Sequence, residues 1–114
     1  MLIFKICHER EWREASDRGR YDGSGKDHQD GFLHFSTRSQ LLGTLQKWYA
    51  TATDLILVAV EADALGPGLK WEPSRDGALF PHLYGPLPLS AAIHVAPIAR
   101  DENGSFILPG PLAE

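Results

Sequence analysis

The apolar residues of the chain fall into short runs with two different periods. Leu2-Ile3-Phe4-Lys5-Ile6-Cys7 is nearly continuous and rich in β-formers, and predicts a mostly buried first strand. Glu9 to Arg18 predicts a short helix: Trp12 and Ala15 lie three apart on one face among charges, and Gly19 stops it. Phe32 to Phe35 predicts a short strand. A second helix follows, capped by Ser36 or Thr37 and running to about Trp48, with Leu41, Leu42, Leu45 and Trp48 at helical spacing. Leu55-Ile56-Leu57-Val58-Ala59-Val60 predicts a central strand buried on both faces.

The second half is punctuated by turn residues. Gly66-Pro67-Gly68 turns the chain into Lys70-Trp71-Glu72, a short or edge strand, and Ser74-Arg75-Asp76-Gly77 is turn chemistry. Phe80-Pro81-His82-Leu83-Tyr84-Gly85-Pro86-Leu87-Pro88 reads as too proline-rich for a central strand. Ile93 to Ile98 predicts a strand, and Asp101-Glu102-Asn103-Gly104 a hairpin turn into a last strand over Ser105 to Leu108. Arg20 to Asp30 reads as a long polar loop, either a lid over a ligand or a plain connector. Helices come early and strands late, without βαβ alternation. The expected fold is α+β: a single domain over residues 1–114, with a mixed or mainly antiparallel sheet and two or three short helices.

Bulk composition narrows the function classes. At 114 residues the chain is close to the commonest domain size, and its 43% hydrophobic fraction suits one self-sufficient core. A single cysteine, Cys7, allows no internal disulfide and no cysteine-based zinc site, and reads as a small buried apolar residue. No signal-peptide pattern and no membrane-length apolar run is present, so a cytoplasmic protein without a membrane partner is expected. The net charge of −4 argues against a nucleic-acid surface but allows a nucleotide, for which a few local donors suffice. A protein partner is not indicated either way.

Three segments carry candidate chemistry. His34 precedes Ser36 and Thr37 at a helix start, where unpaired N–H groups favour an anion and a histidine can bind a ribose hydroxyl or move a proton. A hydrogen-bonded structural histidine is the plain alternative. Glu72 follows Trp71; buried against that ring, its carboxyl would have a raised pKa and could serve as acid, base or partner to a cation. Pro81, Gly85 and Pro86 fix the backbone around His82 and Tyr84, as a site or a well-packed loop requires. His34, Glu72 and His82 together also suggest a two-histidine, one-carboxylate metal site serving a hydrolase, although no pair has a local metal-ligand spacing.

Gly31-Phe32-Leu33-His34-Phe35-Ser36-Thr37, Lys70-Trp71-Glu72 and the Phe80 to Leu87 segment, in this order and spacing, resemble the bacterial family known as domain of unknown function 952. The resemblance spans nearly the whole chain and implies a fold related to ADP-ribosyltransferases. In that superfamily a strand carries a His-x-Ser/Thr motif that grips NAD, and His34-Phe35-Ser36 matches it. The resemblance therefore implies that His34 and Ser36 contact NAD, that Tyr84 or Tyr49 stacks on nicotinamide, and that Glu72 stabilises a ribosyl cation. The expected function is binding of NAD (as substrate) or a related nucleotide, with transfer or cleavage of ADP-ribose. His34, Glu72 and His82 are the catalytic candidates, and Ser36, Thr37, Trp71, Arg75 and Tyr84 the ligand-binding ones. A non-catalytic sensing or interaction module using the same cleft is the alternative.

Overall fold

The computed structural model describes residues 1–109. In chain order these form β1 (Leu2–His8), α1 (Glu9–Arg18), β2 (Arg20–Tyr21), α2 (Lys26–Asp30), β3 (Leu33–His34), α3 (Arg38–Trp48) and β4 (Leu55–Glu61). The second half holds β5 (Leu69–Pro73), β6 (Leu79–Leu83), β7 (Leu87–Pro88), β8 (Ala92–Pro97), β9 (Ala99–Arg100) and β10 (Phe106–Ile107). The result is a small α+β fold in which each strand pairing is antiparallel.

Two three-stranded sheets dominate, ordered β1-β4-β8 and β3-β6-β5. β4 is central in the first, and its residues 55–60 are buried, as an unbroken run of β-formers requires. Side-chain alternation along β1 and β4 divides the core in two. Ile3, Cys7, Val58 and Val60 face one side, with Ala15 and Tyr21, with Leu33 and Leu83 of the second sheet, and with Phe35 just after β3. Phe4, Ile6, Leu57 and Ala59 face the other, against Leu41 and Leu45 of α3. Cys7 is buried, and desolvation pushes its thiol up to about 12, so the buried apolar role expected of it holds.

Helix ends follow local chemistry. Gly19 ends α1 in the left-handed conformation (φ 80°), where a side chain would cost energy. Thr37, rather than Ser36, starts α3 through a capping box with Gln40. Ser36 instead exchanges backbone hydrogen bonds with Phe4 at 2.8 and 2.9 Å, tying the end of β3 to the edge of β1. That bridge joins the two sheets two residues beyond His34.

The structure departs from the sequence reading in three places. The polar segment Arg20 to Asp30 is not a plain loop: β2 pairs with β7, and α2 follows. Five residues are too few to show a helical period. On α3 only Leu41 and Leu45 of the expected face are buried, while Leu42 is 45% and Trp48 53% exposed. Thr44 takes an inward place instead, donating to the Gln40 carbonyl and meeting Ser36 Oγ at 3.0 Å. Finally, β6 is a central strand despite Pro81. The Pro81 carbonyl accepts from Phe35 N–H at 3.0 Å, so its ring nitrogen also points to the β3 side, just past the last paired residue of β3. The β5 ladder thus needs no donor from Pro81, and the proline is tolerated.

Candidate functional site

Antiparallel register sets the site. His34 pairs with His82 across β3 and β6, and Lys70 pairs with His82 across β5 and β6. Alternation then puts Phe32, His34, Phe80, His82, Tyr84 and Glu72 on one face of the sheet. Leu33, Phe35 and Leu83 point the other way, into the core. Phe32 stacks on His82 with ring centroids 4.1 Å apart, and lies 5.1 Å from Tyr84.

Each histidine has a carboxylate partner. His34 Nδ1 lies 2.7 Å from Asp27 Oδ1, which also accepts the His34 backbone N–H at 2.9 Å. Asp27 is buried, accepts from Ser24 N–H at 3.2 Å, and pairs with the equally buried Lys5 at 2.9 Å. Four donors fill the roughly four acceptor sites of a carboxylate. Burial pushes the Asp27 carboxyl up, but the bonds from His34 and the charge and bond of Lys5 outweigh it and hold it well below the usual carboxylate range. On its other side, His34 Nε2 lies 2.8 Å from Asp30 Oδ2, and Lys26 also donates to that oxygen. Carboxylates accept only, so both bonds form together when the ring carries two protons.

The second pair is His82 and Glu72. His82 Nδ1 lies 2.8 Å from Glu72 Oε1, and Tyr84 OH donates to the same oxygen at 2.8 Å. These bonds, His82 first, lower the Glu72 carboxyl from its ordinary value and raise the Tyr84 hydroxyl. The condition for a raised Glu72, burial against the Trp71 ring, is not met. Trp71 and Glu72 are adjacent in a strand, so they project to opposite faces, and the indole cannot desolvate the carboxylate.

A pocket of about 370 Å3 opens beside this wall. His34, His82, Ser36 and Arg75 line it; Glu72, Tyr84, Trp71 and Thr37 do not. Glu72 and Tyr84 reach it only through His82. Thr37 is occupied in capping α3, and Trp71 lies on the far face at a sheet edge. Trp48, Tyr49 and Phe80 supply aromatic lining, and Thr44 a hydroxyl. Lys5, Lys26, Lys47 and Arg75 outnumber the lining carboxylates Glu11 and Asp27, so the pocket is locally cationic in an acidic chain.

Arg75 is distinctive among those cations. Its Nη1 donates to Thr44 Oγ1 at 3.2 Å and its Nη2 to the Gln40 carbonyl at 3.4 Å, both neutral acceptors. No carboxylate among the described residues pairs with it. It packs over Phe80 at 4.9 Å and against Gly43, whose missing side chain leaves room for the guanidinium. Lys26, from α2, sits 4.9 Å from the Trp48 ring centroid, so α2 reaches across to the end of α3. His34, Glu72 and His82 do not gather as metal ligands: among the described residues no group of three His, Cys, Asp or Glu is arranged to hold an ion. Each carboxylate–histidine bond already occupies Nδ1.

Lys5 and Asp27 are site residues that sequence reasoning missed. The signal was available: a lysine inside an otherwise apolar strand must find a partner if it points inward.

Fold and site define a small antiparallel α+β protein with two histidines on one pocket wall, each bonded to a carboxylate. The sequence model of the family described as protein of unknown function (DUF952) matches residues 6–95, and the chain belongs to that family. A crystal structure of protein CC0527 from Caulobacter crescentus is similar to it at 45% identity and a TM-score of 0.93, each chain covered in full. A solution NMR structure of CC0527 is similar at 46% identity and a TM-score of 0.82, covering 91% of this chain and 90% of that one. No curated protein matches the chain. No helix among the described residues is long and apolar enough to cross a membrane.

Proposed function

We propose that the pocket binds a nucleotide-like ligand, an aromatic ring joined to phosphate. The observation that carries this reading is Arg75, whose guanidinium meets only neutral acceptors in the pocket lined by His34 and His82. An unpaired guanidinium beside hydroxyl groups suits a phosphate, and Trp48, Tyr49 and Phe80 suit a base. Within this class, the order His34-Phe35-Ser36 favours NAD or ADP-ribose, in line with the proposed relationship to ADP-ribosyltransferases. In that reading Glu72 acts on the ligand through His82 rather than by direct contact. A non-catalytic sensor uses the same pocket; the observation in its favour is that both ring nitrogens of His34 already face carboxylates.

Thermal unfolding with AMP, ADP-ribose and NAD tests the binding reading. A ligand at 100 times its Kd stabilises the fold by about 2.7 kcal/mol. The shift is expected for at least one of the three and is expected to disappear in Arg75→Gln. No shift with any of them rules the reading out.

A further inference from the structure

One ring nitrogen is left open. His82 donates from Nδ1 to Glu72, whose carboxylate can only accept, so the neutral ring keeps its proton on Nδ1 and its lone pair on Nε2. Nε2 has no hydrogen-bond partner among the described residues and is not sealed from solvent, although the residue is only 5% exposed. His82 lines the pocket, and its ring plane is set by Phe32 on one face and the Glu72–Tyr84 bonds at its edge. Arg75 packs over Phe80, two residues before His82 on the same face of β6. A proton acceptor and an unpaired cation therefore stand one side-chain position apart.

We propose that His82 is a catalytic base for hydrolysis of a phosphate ester anchored by Arg75, with Glu72 and Tyr84 as positioning residues. This rests on the anion-binding reading of the pocket. His82 Nε2 takes a proton from water as the water oxygen bonds to phosphorus. The ester P–O bond breaks, and its electron pair goes to the leaving oxygen. The imidazolium, held by the Glu72 carboxylate, gives its proton back to solvent, and the leaving oxygen, in line on the far side of phosphorus, takes one from water. Water is consumed, alcohol and phosphate product are released, and nothing is oxidised or reduced.

The test uses the full chain with 4-nitrophenyl phosphate and bis(4-nitrophenyl) phosphate, which separate monoester from diester, and AMP binding by calorimetry in parallel. The expected result is release of 4-nitrophenol from at least one ester. His82→Asn keeps an N–H for Glu72 and is expected to lower turnover by roughly 10²- to 10⁴-fold, the range of positioned acid–base groups. Glu72→Gln is expected to move the acidic limb of the kcat/KM profile to lower pH, because the imidazolium loses its counterion. AMP binding without cleavage of either ester overturns the catalytic proposal and leaves the binding reading standing. Failure of both overturns both. Cleavage unchanged by His82→Asn also overturns it, as does an unmoved acidic limb in Glu72→Gln, which decides the matter should the asparagine variant not fold.

Discussion

His34 and His82 face each other across the β3–β6 ladder, ring centroids 5.5 Å apart, and each directs Nδ1 at its own carboxylate. The two pairs differ in depth. Asp27 is buried with Lys5, whereas the Glu72 side chain is 35% exposed. In the His34 pair the carboxylate is thus the buried member, and in the His82 pair it is the histidine.

That difference predicts what removing Lys5 does. Lys5→Met leaves the Asp27 charge buried without its cation, and breaking a buried ion pair costs about 3–5 kcal/mol. Urea denaturation is expected to show a loss of that size, partly recovered by Lys5→Met combined with Asp27→Asn. A loss under about 1 kcal/mol would mean that the pair is not buried as described.

The depressed Asp27 carboxyl makes stability pH-dependent. A group whose native pKa lies below its unfolded value stabilises fully above the unfolded value, about 3.9 for aspartate. That contribution is lost as the pH falls toward the native value. Urea midpoints measured from pH 6 down to pH 2 should therefore fall more steeply for the native chain than for Asp27→Asn. Parallel curves would contradict the assignment.

Much of this fold was legible because period and caps agreed: β1, α1, α3, β4 and the turn at Asp101 to Gly104 all follow from them. What was missed lies where tertiary context decides. α2 is shorter than two helical turns, and Pro81 is acceptable only because β3 ends where its nitrogen points. The candidate site divides in the same way. His34, His82, Ser36 and Arg75 reach the pocket from separate segments, while the Glu72 side chain is turned toward His82. The opposite facing of Trp71 and Glu72, by contrast, needs nothing beyond the two-residue period of a strand, and that much the sequence does carry.

Gly43 offers a substitution that separates stability from binding. A Cβ there would lie 2.9 Å from Arg75 Nη2, the mobile end of a long side chain. Gly43→Ala in the middle of α3 should gain up to about 1 kcal/mol of helix stability while displacing the guanidinium. The expected outcome is a protein that melts no lower than the native chain and binds AMP at least several-fold more weakly. Unchanged AMP affinity would remove Arg75 from the anion site.

Gly23 has no such freedom. Its φ is +94°, and a Cβ would meet Leu33 Cδ2 at 2.6 Å and Asp27 Cβ at 2.9 Å. Gly23→Ala combines left-handed strain with overpacking and should destabilise by roughly 1–3 kcal/mol. Faster hydrogen exchange at the His34 amide, which donates to Asp27, would report the local damage.

Lys5 also gives β1 a sense of direction. Nearly every other residue of the strand is apolar, so hydrophobicity alone hardly distinguishes its two faces. A slip of one residue against β4 would turn the ammonium toward Leu41, Leu45 and Leu57 and strand it in hydrocarbon. Asp27 waits on only one side. The same ion pair that orients His34 thereby acts as a key that fits one alignment of the first strand, contributing uniqueness to the fold where it contributes little net energy.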